Sequence, residues 1–138
     1  QALRLSQLTG DRRGEAQDLG NLGDCHLAIG ESERALELQE RALAIFREIG
    51  DRTSEAIALS SKGDVYQAKG ALGTALTQYE EARMISHEMG DLREEGNALW
   101  KMALLLDALG DQVRAVNQAE AAMQIFEQIE HLDAARVR

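Results

Sequence analysis

The residues of this sequence that most resemble a ligand-binding loop are three Gly-Asp pairs, at Gly10-Asp11, Gly50-Asp51 and Gly90-Asp91. Glycine could bring backbone amides close to a phosphate, and aspartate could bind a metal ion. A metal site needs several oxygen ligands that converge, whereas these aspartates recur once every 40 residues. The spacing favours a structural role, in which glycine ends one helix and aspartate caps the next.

Cys25 and His26 are a second candidate, either as metal ligands or as a nucleophile with its base. Neighbouring residues on a helix point about 100 degrees apart, and the other histidines, His87 and His131, lie far along the chain. The sequence contains no glycine-rich phosphate loop, no GxSxG and no HExxH motif. We therefore predict no catalytic residue, no metal site and no cofactor.

Composition limits the classes of partner. The 138 residues include 24 acidic and 15 basic side chains, a formal charge of -9, and such a surface repels nucleic acids and anionic membranes. No apolar run approaches the roughly 18 residues of a membrane span, and residues 1–20 lack the pattern of a signal peptide. These absences and the single cysteine predict a cytoplasmic protein whose partners are basic or apolar proteins or peptides.

A 40-residue repeat organises the chain. Blocks that start at residues 10, 50 and 90 align without a gap and share nine identical positions, which chance would not produce. In the first block these positions are Gly10, Asp11, Glu15, Leu19, Gly30, Ala35, Glu40, Ala42 and Ile45. The glycines divide each block into two segments of about 18 residues, each with apolar residues three or four apart. Each block is therefore predicted to be a helix pair, and stacked pairs form an array.

Several repeated residues resemble the tetratricopeptide repeat. They are Leu19, Leu22, Gly23, Gly30, Ala35 and Ala42, with the equivalents Leu59, Gly63, Tyr66, Gly70, Ala75, Tyr79 and Ala82. The repeat length, the GD(R)xxEAxxL opening and the AxxI closing look like the long-helix variety found in G-protein-signalling adaptors and bacterial regulatory proteins. The chain departs from the family where leucine replaces the first-helix tryptophan and where the proline after the second helix is missing.

The resemblance covers residues 1–138 and implies an all-α, right-handed superhelical array of antiparallel helix pairs. Residues 10–49, 50–89 and 90–129 would form three repeats. Residues 1–9 would end a preceding helix, and residues 130–138 would start a further one. We accordingly interpret the chain as a piece of a longer array.

The resemblance also implies a binding surface, because first helices of the family line a concave groove that takes a peptide. The groove positions carried over by alignment are Gln17, Gly20, Asn21, Asp24, Ile57, Ser60, Ser61, Asp64, Asn97, Trp100, Lys101 and Leu104. Trp100 follows the packed Leu99 and should be exposed in the groove, where tryptophan is often a binding hot spot. The alternative is that Trp100 packs against a neighbouring helix.

Asn21 and Lys101 match positions that bind the carboxylate tail of heat-shock chaperones in some family members. The rest of that clamp is missing, and Asp24 and Asp64 would repel a carboxylate. We predict a non-catalytic scaffold for a basic or apolar peptide or helix, within a larger signalling or regulatory protein. The alternatives are self-association through uncapped ends that expose Ala2, Leu5 and Leu132, or regulation of an enzyme encoded elsewhere in the parent chain.

Overall fold

A computed structural model describes residues 2–137, and the side chains of residues 7–136. This part of the chain forms six α-helices without any strand, as the sequence predicts. The helices are α1 (Ala2–Ala28), α2 (Ser32–Ile49), α3 (Arg52–Ala68), α4 (Leu72–Met89), α5 (Leu92–Ala108) and α6 (Gln112–Val137). None of the helices described between residues 2 and 137 combines the length and apolar composition that a membrane span requires.

The Gly-Asp pairs at residues 50–51 and 90–91 form the turns between helix pairs. Gly50 has a φ of 73°, and the amide of Asp51 donates to the carbonyl of Phe46 at 2.9 Å, which closes the last turn of α2. The Asp51 carboxylate then accepts the amide of Ser54 at 3.1 Å and caps α3. Asp91 caps α5 through the amide of Glu94 in the same way. The structural interpretation of these two pairs is confirmed.

The break predicted at Gly10-Asp11 is wrong for this structure, because α1 runs through both residues as one helix. The start of a new helix at residue 130 is wrong as well, since α6 continues to Val137. A turn forms where the helices on both sides of it pack against each other. Among residues 2–137 no helix precedes α1 or follows α6, so no such packing holds a turn at residue 10 or at residue 130. One glycine inside a helix costs only about 1 kcal/mol, so Gly10 alone does not end α1.

Packing arranges the helices in two rows. Each helix packs on its neighbours in sequence, and α1 also touches α3 while α3 touches α5. The odd-numbered helices therefore form an inner row, whose surface is the predicted concave side. Repeated small residues permit close approach: a Cβ added to Gly63 would lie 2.5 Å from the Tyr79 ring. Ala35, Ala75 and Ala42 are likewise fully buried.

The repeated glutamate at residue 55 ties neighbouring helices together. The Glu55 carboxylate in α3 is 7% exposed and accepts from Arg47 of α2 at 3.1 Å and from Arg52 at 3.0 Å. Arg52 also reaches Glu88 of α4 at 3.0 Å, so three successive helices share one charge network. Such a buried carboxylate is tolerated because its guanidinium partners offset the cost of desolvation.

Candidate protein-binding surface

A cavity of about 310 Å³ opens between α1 and α3 on the inner row and is called the Asp24 cavity below. Its base includes the buried residues Ala16, Phe46 and Ala58, which give it an apolar floor. Six residues predicted for the binding surface line the same cavity. They are Gln17, Gly20, Asn21, Asp24, Ile57 and Ser61. The structure thus brings the first- and second-repeat predictions together.

Asp24 carries the negative charge of this cavity. Burial raises the pKa of its carboxyl, and the nearby Asp64 raises the pKa further, while Lys101, Ser61 and Gln39 oppose both effects. The Gln39 amide donates to Asp24 and to the carbonyl of Gly20, each at 2.9 Å, which fixes the carboxylate in place. No ion pair to Asp24 forms among residues 7–136. The charge of Asp24 is therefore stabilised by the more distant Lys101 and by neutral donors, and a cation bound directly to it would stabilise it further.

Asp64 differs from Asp24, because it already forms an ion pair with Lys101. The Lys101 ammonium lies 3.2 Å and 3.3 Å from its two carboxylate oxygens and 5.4 Å from the centre of the Tyr79 ring. The Tyr79 hydroxyl donates to Asp64, and burial together with Asp64 raises the pKa of that hydroxyl. Lys101 and Tyr79 thereby fill the space between α3 and α5 that corresponds to the Asp24 cavity.

The remaining predicted residues do not join the Asp24 cavity. Trp100 and Leu104 are 45% and 52% exposed and line a second cavity of about 290 Å³ between α5 and α6. The expected exposure of Trp100 is confirmed. Asn97 is exposed but lines neither cavity. Ser60 is only 5% exposed, so its predicted place in the groove is corrected. It is buried because α3 has an inner-row helix on both sides, α1 and α5. The equivalent Trp100 is exposed because α5 has only α3 beside it within the described residues.

Sequence reasoning missed five residues that line the Asp24 cavity: Ala16, Ser54 and Ala58 lie on the inner-row helices, and the other two, Gln39 and Phe46, lie on α2. Both belong to a second helix, and the resemblance directs attention to first helices only. The sequence does carry a signal at this position of the repeat, because the residue varies from glutamine at 39 to tyrosine at 79 and alanine at 119. These three side chains decide whether each groove is polar, filled or open.

Acidic, histidine and cysteine side chains do not converge into a metal-binding group within the part of the chain described here. Cys25 is exposed, and the ring of His26 contacts Glu31, with 2.7 Å between Nδ1 and Oε2.

Comparisons with known proteins agree with this architecture. Three solved structures share the fold: the TPR domain of Arabidopsis FLU, aspartyl phosphate phosphatase F from Bacillus subtilis, and BtubC from P. vanneervenii. Their identities to the chain are 22%, 13% and 20%, with TM-scores of 0.76, 0.82 and 0.78. The matches cover 85%, 89% and 94% of this chain, and 98%, 32% and 54% of the respective structures.

Sequence comparison gives the family. No curated protein sequence matches significantly. The family model described as tetratricopeptide repeat matches residues 1–48 and 20–86, which together make up more than half of the chain. Domains of this family are generally non-catalytic modules that bind protein partners. The chain belongs to the tetratricopeptide repeat family.

Proposed function

We propose that this chain is a protein-interaction scaffold whose Asp24 cavity binds a peptide segment with a lysine or arginine beside an apolar side chain. The observation that carries the proposal is the Asp24 carboxylate, which lines an apolar-floored cavity, accepts a hydrogen bond from the Gln39 amide and forms no ion pair among residues 7–136. A bound ammonium or guanidinium group would supply a cationic partner. The apolar neighbour of the basic residue would cover Phe46 and Ala58.

The walls of the cavity supply the remaining contacts. Gln17 and Asn21 are exposed on α1, and Ser61 faces them from α3. Side-chain amides and a hydroxyl can donate to and accept from the backbone of an extended peptide, which orients the peptide without selecting its sequence. Selectivity for a basic residue would then come from Asp24.

A carboxylate ligand fits this surface poorly. Asp24 and Asp64 lie close enough for their charges to interact, and Lys101 is already paired with Asp64. An anionic peptide terminus would face one unpaired carboxylate and a lysine whose charge is largely offset. The same physical reason argues against binding of a nucleic-acid backbone.

The test is a binding assay with fluorescent peptide libraries that fix one central residue beside a leucine and randomise the rest. We expect libraries with central lysine or arginine to bind, those with norleucine to bind more weakly, and those with glutamate to bind least. Added salt should weaken the binding of the lysine and arginine libraries most, because salt screens ion pairs. Equal binding of all four libraries would contradict the proposal.

We further infer that the scaffold acts in the cytoplasm, and that it is part of a larger signalling or regulatory protein, as the resemblance implies for the latter. One of the structures that share the fold is an aspartyl phosphate phosphatase of which this chain spans about a third. That relation is compatible with an array attached to other segments, or with the alternative that the array regulates an enzyme. Expression of the complete parent reading frame, followed by fractionation and activity assays, tests both inferences.

Self-association is the alternative function, and it would use leucines exposed on the first and last helices. Leu8, Leu22 and Leu132 are 53%, 46% and 53% exposed, whereas the side chains of Ala2 and Leu5 lie outside those the structure describes. Asp18 opposes head-to-tail stacking, because it occupies the repeat position of the buried Ala58 and Ala98. Light scattering over a concentration series should therefore show a constant monomer mass.

A further inference from the structure

Gln39 is a buried polar side chain of the Asp24 cavity, because it is only 2% exposed and yet lines that cavity. Its amide nitrogen Nε2 donates to the carbonyl of Gly20 and to Oδ1 of Asp24, each at 2.9 Å. These two bonds engage both hydrogens of the amide and fix which end of it is the oxygen. The remaining polar atom of Gln39 is therefore the oxygen Oε1, which can only accept a hydrogen bond.

This oxygen lies where α1 has no side chain to cover it. A Cβ built on Gly20 would lie 3.7 Å from Oε1 of Gln39, and glycine has no such atom. The residues equivalent to Gly20 are Ser60 and Trp100, so other repeats place larger side chains at this position. The first repeat thus leaves the amide oxygen open to a ligand in the cavity.

The charged end of the cavity consists of hydrogen-bond acceptors. Oε1 and Nε2 of Gln39 share one carbon atom, and Nε2 is bonded to the Asp24 carboxylate, so Oε1 lies close to that carboxylate. The three oxygens of the two side chains therefore surround one negative charge. A ligand that matches them must be a cation with several N–H donors.

Lysine and arginine differ in how they meet this requirement. The lysine ammonium is a compact and strongly hydrated point charge, whereas the arginine guanidinium is planar, weakly hydrated and carries five N–H donors in a rigid fork. A guanidinium paired with Asp24 has further N–H groups for Oε1 of Gln39. An ammonium at the same place would lose more hydration for fewer hydrogen bonds.

The floor of the cavity favours the same ligand. Phe46 is buried and lines the cavity together with Ala16 and Ala58. A guanidinium can stack on an aromatic ring, and the methylene groups of arginine can cover the alanines. The water molecules that an ammonium retains would instead lie against an apolar surface.

Among the three repeats, the first alone combines these side chains. The residues equivalent to Asp24, Gln39 and Phe46 are Asp64, Tyr79 and Ser86 in the second repeat, and Leu104, Ala119 and Phe126 in the third. The second repeat lacks the amide oxygen and the aromatic floor, and the third lacks the carboxylate. Selectivity at this site would therefore be a property of the first groove and not of the repeat as such.

We propose that the Asp24 cavity selects arginine over lysine and that Gln39 determines this selectivity. The guanidinium pairs with the Asp24 carboxylate and donates a further hydrogen bond to Oε1 of Gln39. The inference rests on the proposed function, because it specifies which basic residue of a peptide the cavity accepts.

The test uses four fluorescent peptides that differ only in the central residue beside a leucine. This residue is arginine, lysine, asymmetric dimethylarginine or citrulline. Dimethylarginine keeps the charge of arginine but has fewer N–H donors, and citrulline keeps the planar shape without the charge. We expect the arginine peptide to bind about fivefold more tightly than the lysine and dimethylarginine peptides, as one additional hydrogen bond would cause. The citrulline peptide should bind least.

Gln39→Met removes the amide at nearly constant side-chain length. In this variant arginine and lysine should bind alike, and both should still bind more tightly than citrulline. Glu40→Gln is the control, because Glu40 is an exposed neighbour on α2 outside the cavity, and it should keep the preference for arginine. Circular dichroism confirms that both variants are folded.

The outcomes separate this inference from the proposed function. Equal affinities of the arginine and lysine peptides for wild type, or a preference for arginine that persists in Gln39→Met, would overturn the role of Gln39 and leave the proposed function intact. Citrulline that binds as tightly as arginine would overturn the proposed function, and this inference with it.

Discussion

The Lys101 ammonium lies 3.2 Å from Oδ1 of Asp64, whereas Asp24, the residue equivalent to Asp64 in the first repeat, has a neutral amide as its partner. The difference arises at residue 61, where serine stands at the position of Lys101. One groove is therefore closed by an internal ion pair, and the other stays open with its carboxylate available. This contrast is the basis of the proposed selectivity for basic peptides.

Replacement of Asp24 by asparagine should stabilise the protein slightly. Burial and Asp64 raise the pKa of Asp24 above 3.8, so the native state disfavours its charged form. Because the folded pKa is the higher one, stability falls as pH rises from 3.8 through the folded pKa. Asp24→Asn removes this loss and should raise the free energy of unfolding at pH 7 by less than about 1 kcal/mol, since the residue is partly solvated.

Urea denaturation of wild type and Asp24→Asn at a series of pH values measures this effect. Asp18→Asn is the control, because Asp18 is an exposed carboxylate on the same helix outside the Asp24 cavity. A destabilised Asp24→Asn variant at pH 7 would show that the carboxylate serves folding. A binding role, in contrast, predicts a gain in stability together with a loss of ligand.

Glu55→Gln should destabilise the protein by about 1–3 kcal/mol, because Arg47 and Arg52 lose a common, nearly buried carboxylate. Glu15 is the same repeat position in α1, but its side chain is 50% exposed. Glu15→Gln should therefore change the free energy of unfolding by less than about 0.5 kcal/mol. Equal costs of the two changes in urea denaturation would contradict the assignment of Glu55 as the centre of the charge network.

Gly63→Ala should cost about 1–3 kcal/mol, because the added methyl group would lie 2.5 Å from Cε1 of the buried Tyr79 ring. Gly73 is a helical glycine without any atom near its added Cβ. Gly73→Ala should accordingly stabilise α4 by up to about 1 kcal/mol through helix propensity. Thermal unfolding of both variants measures the contrast, and similar melting temperatures would refute the close approach of α3 and α4.

Asp51→Ala and Asp11→Ala test whether α1 is continuous. Asp51 caps α3 and accepts from Arg13 at 2.9 Å, so its loss should cost about 1–2 kcal/mol. Asp11 lies inside α1, where alanine is the better helix former, and Asp11→Ala should be neutral or stabilising. An equal cost of both changes would indicate a capped helix start at residue 11.

The Asp51 cap also makes stability depend on pH. Burial opposes ionisation, but the Ser54 amide, Arg13 and the Ser54 hydroxyl together hold the pKa of Asp51 below 3.8. A depressed pKa contributes stability above 3.8 that is lost as pH falls through the folded value. Asp51→Ala should therefore flatten the acid limb of the stability curve.

Repetition explains why most of the fold could be predicted from the sequence. Gly50 and Asp51 carry a local signal for a helix end and a cap, and that signal sufficed wherever two packed helices flank it. The same residue types at Gly10 and Asp11 do not form a turn, because a turn also needs helices that pack on each other. Local chemistry thus predicts where a break is possible, and tertiary packing decides whether it forms.

The binding surface could be predicted only in part. Asp24 and Ile57 were found because the resemblance assigns first helices to the groove, and the structure places both in one cavity. Ser60 was misassigned because its burial depends on helices on both sides of α3, which a single repeat does not reveal. Phe46 was missed because it reaches the cavity from a second helix.

A double-mutant cycle in isothermal titration calorimetry tests the central claim most directly. It combines wild type or Asp24→Asn with the tightest-binding lysine peptide of the libraries or its norleucine analogue. We predict a coupling energy of about 0.5–2 kcal/mol between Asp24 and the peptide lysine, and an unchanged lysine affinity for Asp18→Asn. A coupling energy of zero within about 0.3 kcal/mol would contradict the claim that Asp24 selects a basic residue.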